Sequence, residues 1–216
     1  MFEFSLPIHI LEKFKKLSTH GNKKEMKDVS IVEEQDEIKE IISEIISVES
    51  YHYGNIFAHN SPFAIHSDIS DKKKTILLIP IDAAEDQTFV VFDQTINQDK
   101  PISWIYNIFN DKTDDELKEM YYDTAYKIRP CDTQNVVGCT NSPVTEEIFK
   151  HLPFTKDLYY GLTGTVWKYT PGNALLFDAN RIHATGKMSK PKIGCTIQFR
   201  DSIEVLASSL SAHTQS

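Results

Sequence analysis

The segment Thr75-Ile76-Leu77-Leu78-Ile79-Pro80-Ile81 is apolar on both strand faces. Neighbouring side chains of a strand point to opposite sides, so such a run must be covered above and below. It therefore reads as the central strand of a layered β structure. Other short runs fit the same architecture: Phe63 to Ile69, Thr88 to Asp93, Gly164 to Tyr169, Ala174 to Phe177 and Ile193 to Phe199. Pro171-Gly172-Asn173 supplies a tight turn, with proline presetting φ and glycine accepting a left-handed position. Ile38, Ile41, Ile42, Ile45 and Ile46 recur at helical spacing, with Glu37, Lys39, Glu40, Ser43 and Glu44 largely opposite them. This predicts an amphipathic helix packed on the outside of a sheet.

The remaining stretches define the organisation. Gly21 to Asp36 is dense in Lys, Glu and Asp and reads as a surface loop or lead-in. Between about Gln94 and Tyr160 the strand rhythm breaks, with a brief helix expected over Asp114 to Tyr122. Connections this long often serve as functional covers. The tail from Ala207 is rich in Ser and Ala and reads as frayed. The expectation is a single domain, 1–216, mainly β with flanking helices. Residues 1–50 form a helical support region, 51–93 and 161–200 the β core, and 94–160 an insert or substrate lid.

A formal charge of -8 argues against nucleic acid or an anionic bilayer as a partner. No apolar run approaches a membrane span, and the early Glu3, His9, Lys13, Lys15 and Lys16 do not suit a signal peptide. Cys131, Cys139 and Cys195 lack CxxC spacing; two can bridge, but a reduced cytoplasmic chain is the simpler expectation. Oligomeric state is not legible at this level.

The chemistry rests on sparse residues. His66 and Asp68 share one strand face, being two residues apart, and neutral imidazole and carboxylate are both good ligands for Fe(II). A third ligand must come from elsewhere, and His183, at the end of a buried strand, is the best candidate. His52 and His59 lie nearby and fit other metal schemes. With 8 histidines in 216 residues, chance alone supplies about 0.6 His-x-Asp pairs, so the pair is weak by itself. The last strand adds weight. Lys192, Gly194, Thr196 and Gln198 share one face, Ile193, Cys195, Ile197 and Phe199 the other. A lysine turned inward needs an anion, from the protein or from a small diacid.

With these residues in view, the chain resembles the Fe(II)/2-oxoglutarate-dependent dioxygenases, from about Tyr53 to Phe199 with 94–160 divergent. The His-x-Asp motif matches His66 and Asp68. The distal histidine matches His183, within the block Pro171-Gly172-Asn173-Ala174-Leu175-Leu176-Phe177-Asp178-Ala179-Asn180-Arg181-Ile182-His183. The resemblance implies a double-stranded β-helix (jelly-roll, cupin-like) core holding Fe(II) by His66, Asp68 and His183. It implies 2-oxoglutarate and O₂ as cosubstrates, and hydroxylation of a small molecule or a protein residue with release of succinate and CO₂. Lys192 stands where a basic residue holds the far carboxylate of 2-oxoglutarate; Gly194 stands where Ser or Thr is expected, with Thr196 two residues further. Tyr53 or Asn55 would give a second anchor. Trp104 and Arg129, in the insert, are the candidate substrate contacts. Asp68 argues against the halogenating branch, which leaves the carboxylate position vacant. The rival readings are a jelly-roll binding or structural domain with no redox role, and a cupin-like metalloenzyme that does not use 2-oxoglutarate.

Overall fold

The computed structural model describes residues 1–26, 29–63, 65–68, 74–97, 102–104 and 129–213. The first strands are β1 (Phe2–Ser5), β2 (Lys23–Met26), β3 (Val29–Val32), β4 (Tyr51–His59), β5 (Ile65–Ser67), β6 (Thr75–Asp82) and β7 (Thr88–Ile96). They are followed by β8 (Ile102–Trp104), β9 (Val136–Val137), β10 (Gly164–Lys168), β11 (Asn173–Asp178), β12 (Arg181–Thr185) and β13 (Lys192–Phe199). The helices are α1 (Ile8–His20), α2 (Gln35–Ser43), α3 (Glu146–Phe149) and α4 (Ile203–His213).

One sheet has the order β1-β11-β6-β13-β4-β3-β2, the other β10-β7-β12-β5-β8 with β9 against β7. Within them, β11-β6-β13-β4 and β10-β7-β12-β5 are two antiparallel blocks of four. The chain passes between the sheets from β4 to β5, β5 to β6, β6 to β7, β10 to β11, β11 to β12 and β12 to β13. This is the double-stranded β-helix, or jelly-roll, topology.

The sequence parities explain how the layers fill. Ile76 and Leu78 of β6 join Leu175, Phe177, Phe89, Val91, Trp167 and Tyr169 between the sheets. Leu77, Ile79 and Ile81 of the same strand face outward and pack with Ile10, Phe14, Ile38, Ile42 and Leu206. The run apolar at both parities is thus covered on both faces. Pro80 is tolerated in this central strand where the ladder is irregular, between the pairs Ile193↔Asp82 and Gly194↔Pro80. The outer face of the second sheet, Val90, Phe92, Ile182 and Ala184, is covered by Val144, Ile148, Leu152, Leu158 and Tyr159. Gly172 takes φ 88°, the positive value its turn requires.

Several expectations need correction. Gly21 to Asp36 is not a plain loop: β2 and β3 extend the first sheet beyond β4, with Ile31 paired to Phe57 and Val32 to Ile56. The ladder overrides the charge density. The tail is not frayed from Ala207, because α4 runs on to His213 and buries Leu206 and Leu210 in the core. Cys131 and Cys139 are joined in a disulfide, and Cys195 alone is free and buried, so the chain does not carry three reduced thiols. The isoleucine helix is α2, beginning at Gln35, with Ile45 and Ile46 buried just beyond its end. The helix expected over Asp114 to Tyr122 lies outside the described residues. Among the described residues no helix is long and apolar enough to cross a membrane.

Candidate metal centre

His66 and His183 are direct partners across the antiparallel β5–β12 ladder, so their side chains rise from the same face. That face is the inner one: Ile182 and Ala184 alternate with His183 and pack outward. Asp68 follows β5 and is tied to the turn before β12 by its own N–H, which donates to the Ala179 carbonyl at 3.1 Å. The backbone thereby brings together three residues that the sequence holds up to 117 positions apart.

The two Nε2 atoms face each other at 2.9 Å. Asp68 Oδ2 lies 3.3 Å from His183 Nε2, and Oδ1 lies 4.0 Å from His66 Nε2. The three ligating atoms all fall within 4.8 Å of one another. Two ligands held at right angles around an ion at about 2.1 Å stand about 3 Å apart, so these separations suit one first-row metal ion. The tautomer also fits. His183 Nδ1 is 3.0 Å from the Arg181 carbonyl, which only accepts, so Nδ1 carries the proton and Nε2 presents its lone pair. Phe177 and Phe89 wall the His183 ring at 5.0 and 5.5 Å, and Phe63 stands edge-on to His66 at 4.8 Å. Exposure rises from 3% at His183 to 14% at His66 and 25% at Asp68, so the cluster opens toward Asp68.

Lys192 lies in the same interior and is 2% exposed. Its ammonium donates to Thr185 Oγ1 at 3.2 Å and lies over the Tyr169 ring at 4.5 Å, with Phe57 and Phe89 at 5.8 and 6.0 Å. Among the described residues no carboxylate meets it. Burial pushes it from 10.5 down to about 7. His59, its partner across the β4–β13 ladder, is pushed down to about 3, first by burial and then by the charges of Lys192 and His66. His59 therefore remains neutral, and neither it nor His52 joins the metal cluster.

The other candidates separate. Thr196 is paired with Asn55 across β4 and β13, and Asn55 Oδ1 is buried without a hydrogen-bond partner among the described residues. The Tyr53 hydroxyl donates to Glu33 at 2.7 Å. Arg129 is engaged at the surface by Asp132 at 2.8 Å and Asp157 at 3.6 Å. Trp104 ends β8, and its side chain lies outside the described residues. Thr185 was not singled out from the sequence. Its signal was there, since it shares the face of His183 two residues earlier in Arg181-Ile182-His183-Ala184-Thr185.

No protein-family model matches the chain, and no curated protein matches it. Among solved structures it is similar to an oxidoreductase of the 2OG-Fe(II) oxygenase family from Burkholderia pseudomallei. The TM-score is 0.46 at 8% identity, over 92% of this chain and 84% of that one. HygX from Streptomyces hygroscopicus, solved with nickel and 2-oxoglutarate, is similar at TM-score 0.45 and 10% identity, over 94% of this chain and 83% of that one. The vicilin from Solanum melongena is matched at TM-score 0.36 and 7% identity, over 87% of this chain and 32% of that one.

Proposed function

We propose that the chain is an Fe(II)- and 2-oxoglutarate-dependent oxygenase that hydroxylates a small molecule or a protein residue. The observation that carries this reading is the meeting of His66 Nε2, His183 Nε2 and the Asp68 carboxylate on the inner face of a jelly-roll. Two imidazoles and one carboxylate suit iron(II) and leave further positions for a cosubstrate and O₂. When bound, the iron would supply the oxidative decarboxylation of 2-oxoglutarate to succinate and CO₂, together with oxidation of the substrate.

The chain's own residues hold and orient. The Arg181 carbonyl fixes the His183 ring through Nδ1–H, and Phe89 and Phe177 keep water from its buried side. Asp68 supplies the negative charge. Protonated Lys192 pairs with the far carboxylate of 2-oxoglutarate as a point charge, steadied by Thr185. The Phe89 ring touches both stations, the His183 ring and the Lys192 ammonium. A jelly-roll without redox function gives no reason to bury a lysine away from every described carboxylate, or to aim two imidazole nitrogens at one point.

The test is anaerobic addition of Fe(II) and 2-oxoglutarate, followed by exposure to O₂. A weak visible charge-transfer band and then succinate are expected. Both should vanish in His183→Ala with its circular dichroism unchanged. Absence of band and succinate in the wild-type protein overturns the reading, and a metal-loaded protein indifferent to 2-oxoglutarate would be a metalloenzyme of another kind.

A further inference from the structure

The ladder between β7 and β12 is irregular at one place, beside the metal centre. Arg181 pairs with Thr95 and His183 with Val91, so Phe92, Asp93 and Gln94 of β7 all face the single residue Ile182. Such a bulge bends a strand and re-aims the side chains next to it. Three successive carbonyls opposite it share one task. Ala179 accepts the Asp68 N–H at 3.1 Å, Asn180 accepts the Ile96 N–H at 2.9 Å, and Arg181 accepts the His183 Nδ1–H at 3.0 Å. The middle bond joins β7, just past the bulge, to the backbone that steadies two of the three ligands. The bulge therefore sets where that backbone stands.

On its other edge β7 is paired with β10 up to Phe92 and with β9 from Thr95. The Gln94 side chain, 1% exposed, closes the gap between them. Its Oε1 accepts the Thr163 N–H at 3.0 Å, and its Nε2 donates to the Gly138 carbonyl at 2.9 Å and to Thr163 Oγ1 at 3.2 Å. A buried amide satisfied at both ends holds one conformation. Gly164 permits the close approach of β10, since a Cβ there would stand 2.7 Å from Phe92 Cα. Asp93 adds a weaker, exposed tie to Arg181 at 3.1 Å.

We propose that Gln94 is a positioning residue of the metal centre. It touches no ligand; its amide locks the β7 bulge, and the bulge fixes the Ala179–Arg181 backbone that orients Asp68 and His183. The inference rests on the function proposed above only in taking those two residues as metal ligands.

The test is titration of the protein with Co(II) under argon, followed by visible absorption. Gln94→Leu keeps a side chain of similar size and removes all three bonds. Co(II) should bind about tenfold more weakly, with a changed band shape, as when the support of a metal ligand is lost. Leu206→Ala loosens the apolar layer of the other sheet and should keep the band shape and an affinity within about twofold. Unchanged affinity and spectrum in Gln94→Leu overturn the role of Gln94 alone. An equal loss in Leu206→Ala overturns it too, because affinity would then follow stability rather than the bulge. Wild-type protein that binds no Co(II) overturns the metal centre itself. Should Gln94→Leu fail to fold, Thr163→Val replaces it, removing the hydroxyl between Asp93 and Gln94 and sparing the backbone bonds. That variant should bind Co(II) about threefold more weakly, and wild-type affinity and spectrum in it would overturn the proposal.

Discussion

Lys192 shows how a single residue ties stability to ligand. In the unfolded chain its amine holds a proton up to about 10.5; in the folded chain burial pushes it down to about 7. Between those two values the unfolded state binds more protons, so stability rises with pH across that window. Below it the lysine is charged in both states and the full burial cost is present. Without ligand, Lys192→Met should therefore be more stable than wild type at about pH 6.5, by roughly 5 °C in thermal midpoint. The gap should close as the pH approaches about 10. Calorimetric scans across that range check the sign: a gap that is constant or widens with pH would mean the amine is not buried as a cation. Mn(II) with 2-oxoglutarate should reverse the order at the acid end, because only wild type has a cation for the diacid. That Lys192 turns inward was legible from strand alternation. That no described carboxylate meets it was not, since the missing partner is a property of four strands at once.

At the scale of elements, legibility followed the contrast between faces. The isoleucines of α2 stand out against its charged face, and the two parities of β13 separate a polar interior strip from Cys195, Ile197 and Phe199. In α1 the buried Ile10 and Phe14 are diluted by Lys13, Lys15 and Lys16, so its period is faint. In β2 and β3 the signal is pairing, which no local pattern records. The tail misled for a compositional reason. Ser and Ala dominate it, but Leu206 and Leu210 are one helical turn apart and both reach the core, and the Ser209 hydroxyl accepts the Ser47 N–H at 3.2 Å. Leu206, 1% exposed, should therefore behave as a core residue. Leu206→Ala is expected to cost about 2–4 kcal/mol in urea unfolding, against less than about 0.5 kcal/mol for exposed Ser208→Ala. A negligible change at Leu206 would return the tail to a frayed end.

Across the whole molecule, three apolar layers alternate with two sheets, and chemistry is confined to the inner layer. The sequence marked 94–160 as an insert or substrate lid; in its described part Val144, Ile148, Leu152 and Leu158 pack on the outer face of the second sheet, behind the histidines, while 105–128 lies outside the described residues. Length and aromatic content could not say which face residues 144–158 cover, because the outer face of that sheet and much of its inner face are apolar. The Cys131–Cys139 disulfide closes an eight-residue separation at the edge of this outer layer, where Cys131 packs against the cluster. Cross-linking a loop of that size stabilises by about 2–3 kcal/mol, mainly by restricting the unfolded chain. Cys131→Ser with Cys139→Ser should therefore lower the thermal midpoint by roughly 5–10 °C. Reducing agent should have the same effect on wild type and none on the double variant. Burial pushes the Cys195 thiol well up, so it remains unreactive in the folded state and does not confuse the comparison. Mn(II) affinity should stay within about twofold, because Ile182 and Ala184 meet this layer while His183 points away from it. A metal affinity that fell in step with the midpoint would show instead that the outer layer sets the spacing of the ligands, and that the two faces of β12 are mechanically coupled.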